Sequence, residues 1–269
     1  MQAGKQHGMG VRRFGRVNWL GLYTLALRET MRYLNVWMQT LLAPLITAGL
    51  FLTVFSLAIG PARGDVKGVA FTHFLAPGIL MMTVIQNAFT NTSSSILVSK
   101  IQRNIVDTLM PPLSPMELLV GYIAGALGRG VLVAGMIWLG LWLFLDIGIA
   151  HSVWAAAFVL LGSALMGGIG IIAAIYATKF DQLAAITNFI IVPLSFLSGT
   201  FYSVEVLPPL IRALTHWNPV FYLIDGVRFG ILGVSDSSPW LGLTVCGIWT
   251  LGILGLCWSW FRSGYRLKS

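Results

Sequence analysis

The sequence predicts an all-α integral membrane protein with six transmembrane helices, and three observations carry that expectation. Hydrophobic residues make up 57% of the 269, and charged residues only 10%, against roughly a quarter in soluble domains. Mean hydropathy is +0.81. Six stretches reach the ~20 mainly apolar residues that a helix needs to cross a bilayer. Five of them, 33–62, 68–99, 147–178, 182–204 and 237–261, carry no charge, and 118–145 is interrupted only by Arg129. Ten Trp residues suit the headgroup level of a membrane, where an amphipathic ring has one wet edge.

Before the first span the chain begins with a basic stretch, 1–17, expected as a cytoplasmic tail. A signal peptide fits only loosely, because the apolar run "WLGLYTLAL" has nine residues and Arg28, Glu29 and Arg32 follow at once, so a helical reading is better. Residues 18–34 read instead as an amphipathic interfacial helix. Trp19, Leu22, Tyr23, Ala26, Leu27, Met31 and Leu34 recur at spacings of three and four, with Asn18, Arg28, Glu29 and Arg32 mostly on the other face. A helix packed on protein with its polar face solvated is the alternative. Residues 35–262 form the six-span domain, and 263–269 a second cytoplasmic tail.

The connection between the second and third spans reads "KIQRNIVDTLMPPLSPMELLVG". Ile101, Ile105 and Leu109 repeat every four residues, with Lys100, Arg103, Asn104 and Asp107 turned away, so a short amphipathic helix is expected over about 100–110. Pro111, Pro112 and Pro115 stop it. Ser114 and Glu117 then form an S-x-x-E capping box with Pro115 at the first helical position, which starts the third span.

Six spans put twelve Lys and Arg residues on the side of the termini and four on the other side. Both termini are therefore expected in the cytoplasm. The net charge of +8 thus speaks of membrane orientation and not of nucleic acid. Polar residues inside the spans are few. Gln86, Asn87, Thr90, Asn91, Thr92 and Ser93 to Ser95 cluster in the second span, suiting either an aqueous pathway or hydrogen bonds between helices. Arg129 falls near mid-membrane, where a charge is costly and faces the protein interior. It reads as a contact to an anionic substrate group, as a contact to a facing helix, or as an anchor to backbone carbonyls.

The last connection, "FYSVEVLPPLIRALTHWNPVFYLIDG", is broken by Glu205, Pro208, Pro209, Asn218 and Pro219. Its two halves, 206–214 and 220–232, are each too short for a straight crossing. Asn218-Pro219 supplies a turn between them, and Trp217, Phe221 and Tyr222 are expected to anchor at the interface.

Some chemistry is missing. The only Gly-Lys pair, Gly4-Lys5, lacks the upstream glycine and the Ser or Thr of a phosphate-binding loop. No catalytic set converges, and the four His residues lack zinc-protease spacing. Ser198-Gly199 has no histidine on the last span to act as its base. Cys246 and Cys257 lie roughly 16 Å apart on one helix, beyond a disulfide or a shared metal.

The amphipathic opening helix, the six spans, the "RNIVDTLMPPLSPMEL" turn and the stretch "LSGTFYSVEVLPPLIRALTHWNPVFYLIDGVRFGILG" together resemble the type-2 ABC exporter permeases. The likeness runs from about Trp19 to Arg262 and is nearest the bacterial branch of drug, polysaccharide and lipo-oligosaccharide exporters. It implies that the helix at 100–110 is a coupling helix docking on a separate ATPase, through Lys100, Ile101, Arg103, Asn104, Asp107 and Leu109, with Glu117 beside them. It implies that 206–232 is a re-entrant outer hairpin built around Glu205, Pro208, Pro209, Trp217, Asn218, Pro219 and Tyr222; a plain external loop is the alternative. Arg129, Asn87 and Asn91 are the pathway candidates. The resemblance also implies a multi-pass protein of the bacterial inner membrane, contacting lipid and paired as a homodimer. Two ATPase copies would bind the ATP and Mg2+, and this chain no cofactor. A self-contained secondary transporter or channel is the rival reading; it would need repeated broken helices in two halves, and one broken segment is seen.

Overall fold

The computed structural model describes residues 17–103 and 113–266. Among them every regular element is helical. Nine helical elements follow in order. They are α1 (Trp19–Leu34), α2 (Ala43–Arg63), α3 (Phe71–Ile101), α4 (Pro115–Leu145), α5 (Ser152–Tyr176), the composite rod α6 (Phe180–Thr200), α7 (Pro209–Trp217), α8 (Pro219–Leu232) and α9 (Pro239–Ser263). Asn104, Asp107 and Leu109 of the expected coupling helix lie outside the described residues.

Among the described residues five segments are long and apolar enough to cross a membrane: Met38–Ala62, which takes in nearly all of α2, and α4, α5, α6 and α9. The helix α3 has 31 residues, roughly 46 Å of rise, but its polar band keeps it outside that group. Instead it is the core of the bundle, packed most extensively on α5 and then on α4. Glycines permit the closest crossing. A Cβ at Gly170 would lie 2.5 Å from the Phe89 carbonyl, and Thr92 donates across the same contact to the Gly167 carbonyl at 2.7 Å.

Two wide π-helical turns, Met38–Leu42 and Thr187–Ile191, directly precede helical segments with a proline in the first turn, Pro44 and Pro193. Proline lacks the N–H for the i−4 carbonyl, and its ring presses on that carbonyl. Widening the preceding turn relieves both problems.

The two ends of the bundle are distinct. At one end, α1 lies against α4, and Tyr122 and Phe261 stack. The Lys100 ammonium there donates to the carbonyls of Ala174, Ile175 and Ala177 at 3.0, 2.8 and 2.9 Å. It neutralises the unpaired carbonyls at the C-terminus of α5. Lys100 was expected to face away from the chain, and this contact corrects that. At the other end, the loops 64–70, 146–151 and 201–208 gather with 233–238 over the α7–α8 hairpin.

Within the hairpin, α8 is enclosed by α3, α5 and α9. Phe221 and Tyr222 are buried, so they are core residues and not interfacial anchors. Trp217 is 81% exposed, with Leu210 and Leu214 on the same open face of α7.

Candidate functional site

At the α1 end, the capping box legible in the sequence is formed. The Ser114 hydroxyl accepts the Glu117 N–H at 3.3 Å, and the Glu117 carboxylate accepts the Ser114 N–H at 2.6 Å. Its second oxygen accepts the backbone N–H of Asn18 at 2.7 Å. Asn18 in turn caps α1, its side chain accepting from Gly21 at 3.0 Å. Glu117 is buried and joins the starts of two helices; its acceptor oxygens are spent inside the chain, not offered to a docking subunit.

Farther along, α1 rests on a stripe of small residues. Leu25, Glu29 and Tyr33, its buried positions, meet Gly121, Gly125 and Gly128 of α4 in turn. A Cβ on Gly125 would come within 2.7 Å of the Glu29 Cβ. This corrects the expected orientation: Glu29 faces the bundle and not the cytosol. The apolar side chains Trp19, Tyr23 and Met31 stay open, so one face grips protein and another is left for lipid.

Glu29 enters a polar ladder on α3. It accepts from Ser95 Oγ at 2.7 Å and pairs with Arg28 at 3.2 Å and Arg32 at 3.3 Å. Arg32 donates to the Asn91 carbonyl at 2.6 Å, to Asn91 Oδ1 at 2.9 Å and to Ser94 Oγ at 3.0 Å. One turn on, Arg129 donates to Asn87 Oδ1 through Nη2 at 2.8 Å and Nε at 3.2 Å. The partner of Arg129 is thus a facing helix, one of the readings open from the sequence. All three pathway candidates, Arg129, Asn87 and Asn91, come together here. Glu29 and Arg32 were missed as members, although both carry charge on a helix whose apolar stripe was plain.

The polar band of α3 divides into two faces. Asn87, Asn91, Thr92 and Ser95 are buried, while Gln86, Thr90 and Ser94 are the residues between positions 74 and 97 that are not. Those three lie four apart, on one line down the helix. The hydroxyls of Thr90 and Ser94 return to carbonyls of their own helix at 2.8 and 2.6 Å. Between positions 74 and 97 the open strip of this most enclosed helix is therefore polar. An apolar groove of about 580 Å3 lies between α2 and α4, lined by Leu45, Leu52, Gly140 and Phe144 among others.

At the hairpin end a network of charges ties distant loops. The Asp236 carboxylate accepts from Lys67 Nζ at 2.7 Å, Ser203 Oγ at 2.7 Å and the Val204 N–H at 2.9 Å. Lys67 also pairs with Glu205 at 3.1 Å. Burial draws the Asp236 carboxyl upward, but the bonds from Lys67, Ser203 and Val204 outweigh it and leave its pKa below the ordinary value. Burial likewise pulls the Lys67 ammonium down, and its bonds to Asp236 and Glu205 prevail and raise it.

Beneath that clasp, Asp225 accepts the N–H groups of Asp236 and Ser237 at 2.8 and 2.9 Å. Arg228 donates to the Gly199 carbonyl at 2.6 Å and sits over the Phe74 ring at 4.1 Å. Gly199 holds φ +77° at the break ending α6, which glycine adopts without strain. Asn218 caps α8 through the Val220 N–H at 2.9 Å and donates to Ser198 Oγ at 2.7 Å. Asp225 and Arg228, the buried charges of α8, are thus partnered within the protein, with only Arg228 Nε lacking a hydrogen bond among the described residues. Lys67, Asp225, Arg228 and Asp236 were not sequence candidates; the Asp225–Arg228 spacing of three on one helix was the available signal.

Among the described residues no group of His, Cys, Asp and Glu is placed to hold a metal ion, and no phosphate-binding loop occurs in the sequence. The model of the "ABC-2 type transporter" family matches residues 21–232. The chain is 33% identical over 251 residues to the inner membrane transport permease YadH of Escherichia coli (strain K12), covering 93% of this chain and 98% of that one. It is 25% identical over 236 residues to nodulation protein J of Neorhizobium galegae, covering 85% and 87%. With nodulation protein J of Rhizobium leguminosarum bv. viciae the identity is 24% over 243 residues, covering 87% and 90%.

Proposed function

The chain belongs to the ABC-2 type transporter family as a multi-pass membrane permease, and on that premise we propose that it is the membrane-spanning half of an ATP-driven exporter. The carrying observation is the open polar strip Gln86–Thr90–Ser94 on α3. Polar side chains facing acyl chains are costly, whereas the same strip facing water or a second copy is not. In this reading α3 is the sixth span. Two copies pair by a two-fold axis, the commonest closed symmetry, with their strips lining one path.

The α1 end faces the cytoplasm, in keeping with the Lys and Arg excess there. The coupling segment, about 100–110, docks on the ATPase, with Ile101 and Arg103 exposed near its start. Arg103 leaves α3 at φ +58°, turning the chain out of the helix axis. ATP and Mg2+ belong to two copies of a partner subunit, since this chain has no loop to cradle phosphates. The substrate is a lipid-, glycan- or drug-type molecule taken from the cytoplasm or inner leaflet. Exposed apolar residues on α1 and α7, and the groove between α2 and α4, are contacts for membrane lipid. The setting is the bacterial inner membrane, with both termini inside.

Reconstitution tests this. With its ATPase, the chain exports only with hydrolysable ATP, and export stops when the partner's phosphate-binding lysine is replaced. Transport by the chain alone, driven by a proton or sodium gradient without nucleotide, would instead establish a secondary transporter.

A further inference from the structure

We infer that Arg32 and Arg129 form an oxyanion-binding site beside the polar strip of α3, and that the exported molecule is an amphiphile bearing a phosphate or similar oxyanion. This rests on the pathway reading above. Each guanidinium grips one asparagine of α3, Arg32 on Asn91 and Arg129 on Asn87. The two asparagines are four residues apart, so the cations are offset by about one helical turn, roughly 6 Å, along α3.

Their charge is not balanced locally. Glu29, completely buried, is shared by Arg28 and Arg32. Arg129 has no carboxylate within ion-pair distance among the described residues. Asn87 Oδ1 occupies two of its five N–H groups, and no other bond to it is formed among the described residues. The residue keeps 8% of its surface open.

A helix joint alone does not require this. An amide on position 129 would bond Asn87 without bringing a charge into the bilayer, where charge is costly. A planar guanidinium with spare donors, one turn from a second, matches the forked geometry by which arginine holds phosphate. Arg32 adds a bond to Ser94 on the strip itself, so the site opens onto the path and not into the core.

The test uses the full chain in phosphatidylcholine nanodiscs, with Cys246 and Cys257 replaced by alanine and Thr90→Cys on the strip. A charged, membrane-impermeant thiol reagent should label Thr90→Cys. Dodecyl phosphate should slow that labelling by about tenfold or more. Dodecyltrimethylammonium and dodecyl maltoside should not. Arg129→Gln should lose the protection while its unprotected labelling rate stays the same, and Arg129→Lys should keep most of it. Protection by inorganic phosphate at matching concentration would uphold the oxyanion site but refute the amphiphile. Labelling that dodecyl phosphate leaves unchanged, or protects equally in Arg129→Gln, would overturn the site while sparing the pathway. Failure of Thr90→Cys to label at all would overturn the pathway, and the site with it.

Discussion

Glu117 and Asn18 meet through a 2.7 Å bond from the Asn18 backbone N–H to a carboxylate oxygen whose partner oxygen caps α4. One side chain thereby fixes where the third long helix begins and where α1 is held. Because both acceptors are buried, removing the carboxylate leaves two backbone donors without partners. We expect Glu117→Ala to cost about 2–4 kcal/mol and to free α1. Thermal unfolding in detergent, with limited proteolysis between α1 and α2, would measure both; a variant of unchanged stability and protease resistance would refute the joint.

The seat of α1 on its glycine stripe predicts a steric phenotype. A side chain at Gly125 meets the Glu29 Cβ at 2.7 Å. Gly125→Leu should lift α1 off α4, at about 1–3 kcal/mol for the overpacking. Gly135→Leu, with nothing near its Cβ, serves as the control. Hydrogen exchange of the α1 amides should rise in the first variant alone.

The loop clasp gives a pH dependence with a definite sign. Asp236 has a lowered folded pKa, so its contribution is complete above the unfolded value of about 3.9. That contribution is lost as pH falls through the lower folded value. Lys67 has a raised folded pKa. Its contribution is complete below about 10.4 and is lost as pH rises through the higher folded value. Closure of 64–70 onto 203–206 should therefore be level from about pH 5 to 9 and weaken only at the extremes. Asp236→Asn should abolish the acid limb. Exchange rates of the Val204 amide across pH would check it, and an unaltered acid limb in that variant would count against the clasp.

Topology follows from the two ends. Asp65→Cys should react with an impermeant thiol reagent in intact cells, in a background without Cys246 and Cys257. Ser263→Cys should react only after the cytoplasmic face is opened. External labelling at position 263 would mean an odd number of crossings and refute the six-span layout.

Much of the fold was legible along the chain. The apolar segments, the Ser114–Glu117 cap, the amphipathic helix α1 and the broken segment before α9 all rest on local rules of length, capping and proline placement. The ladder was legible only in part. Asn87, Asn91 and Arg129 stood out as polar groups in apolar helices, but nothing local paired them. Lys67 and Asp236 were opaque, since their contact joins loops far apart in the chain.

The sequence by itself determined which segments are helices and which residues share a face on each. It did not determine which face meets protein and which meets lipid. In water an apolar stripe marks the core, because burial there removes apolar surface from solvent. In a bilayer both surroundings are apolar, so hydrophobicity no longer separates inside from outside. On α1 the stripe with Trp19 and Tyr23 stays open while Glu29 turns inward. The tertiary structure decided that by two short-range effects: glycines on α4 that let a backbone approach, and buried polar groups on α3 that each needed a partner.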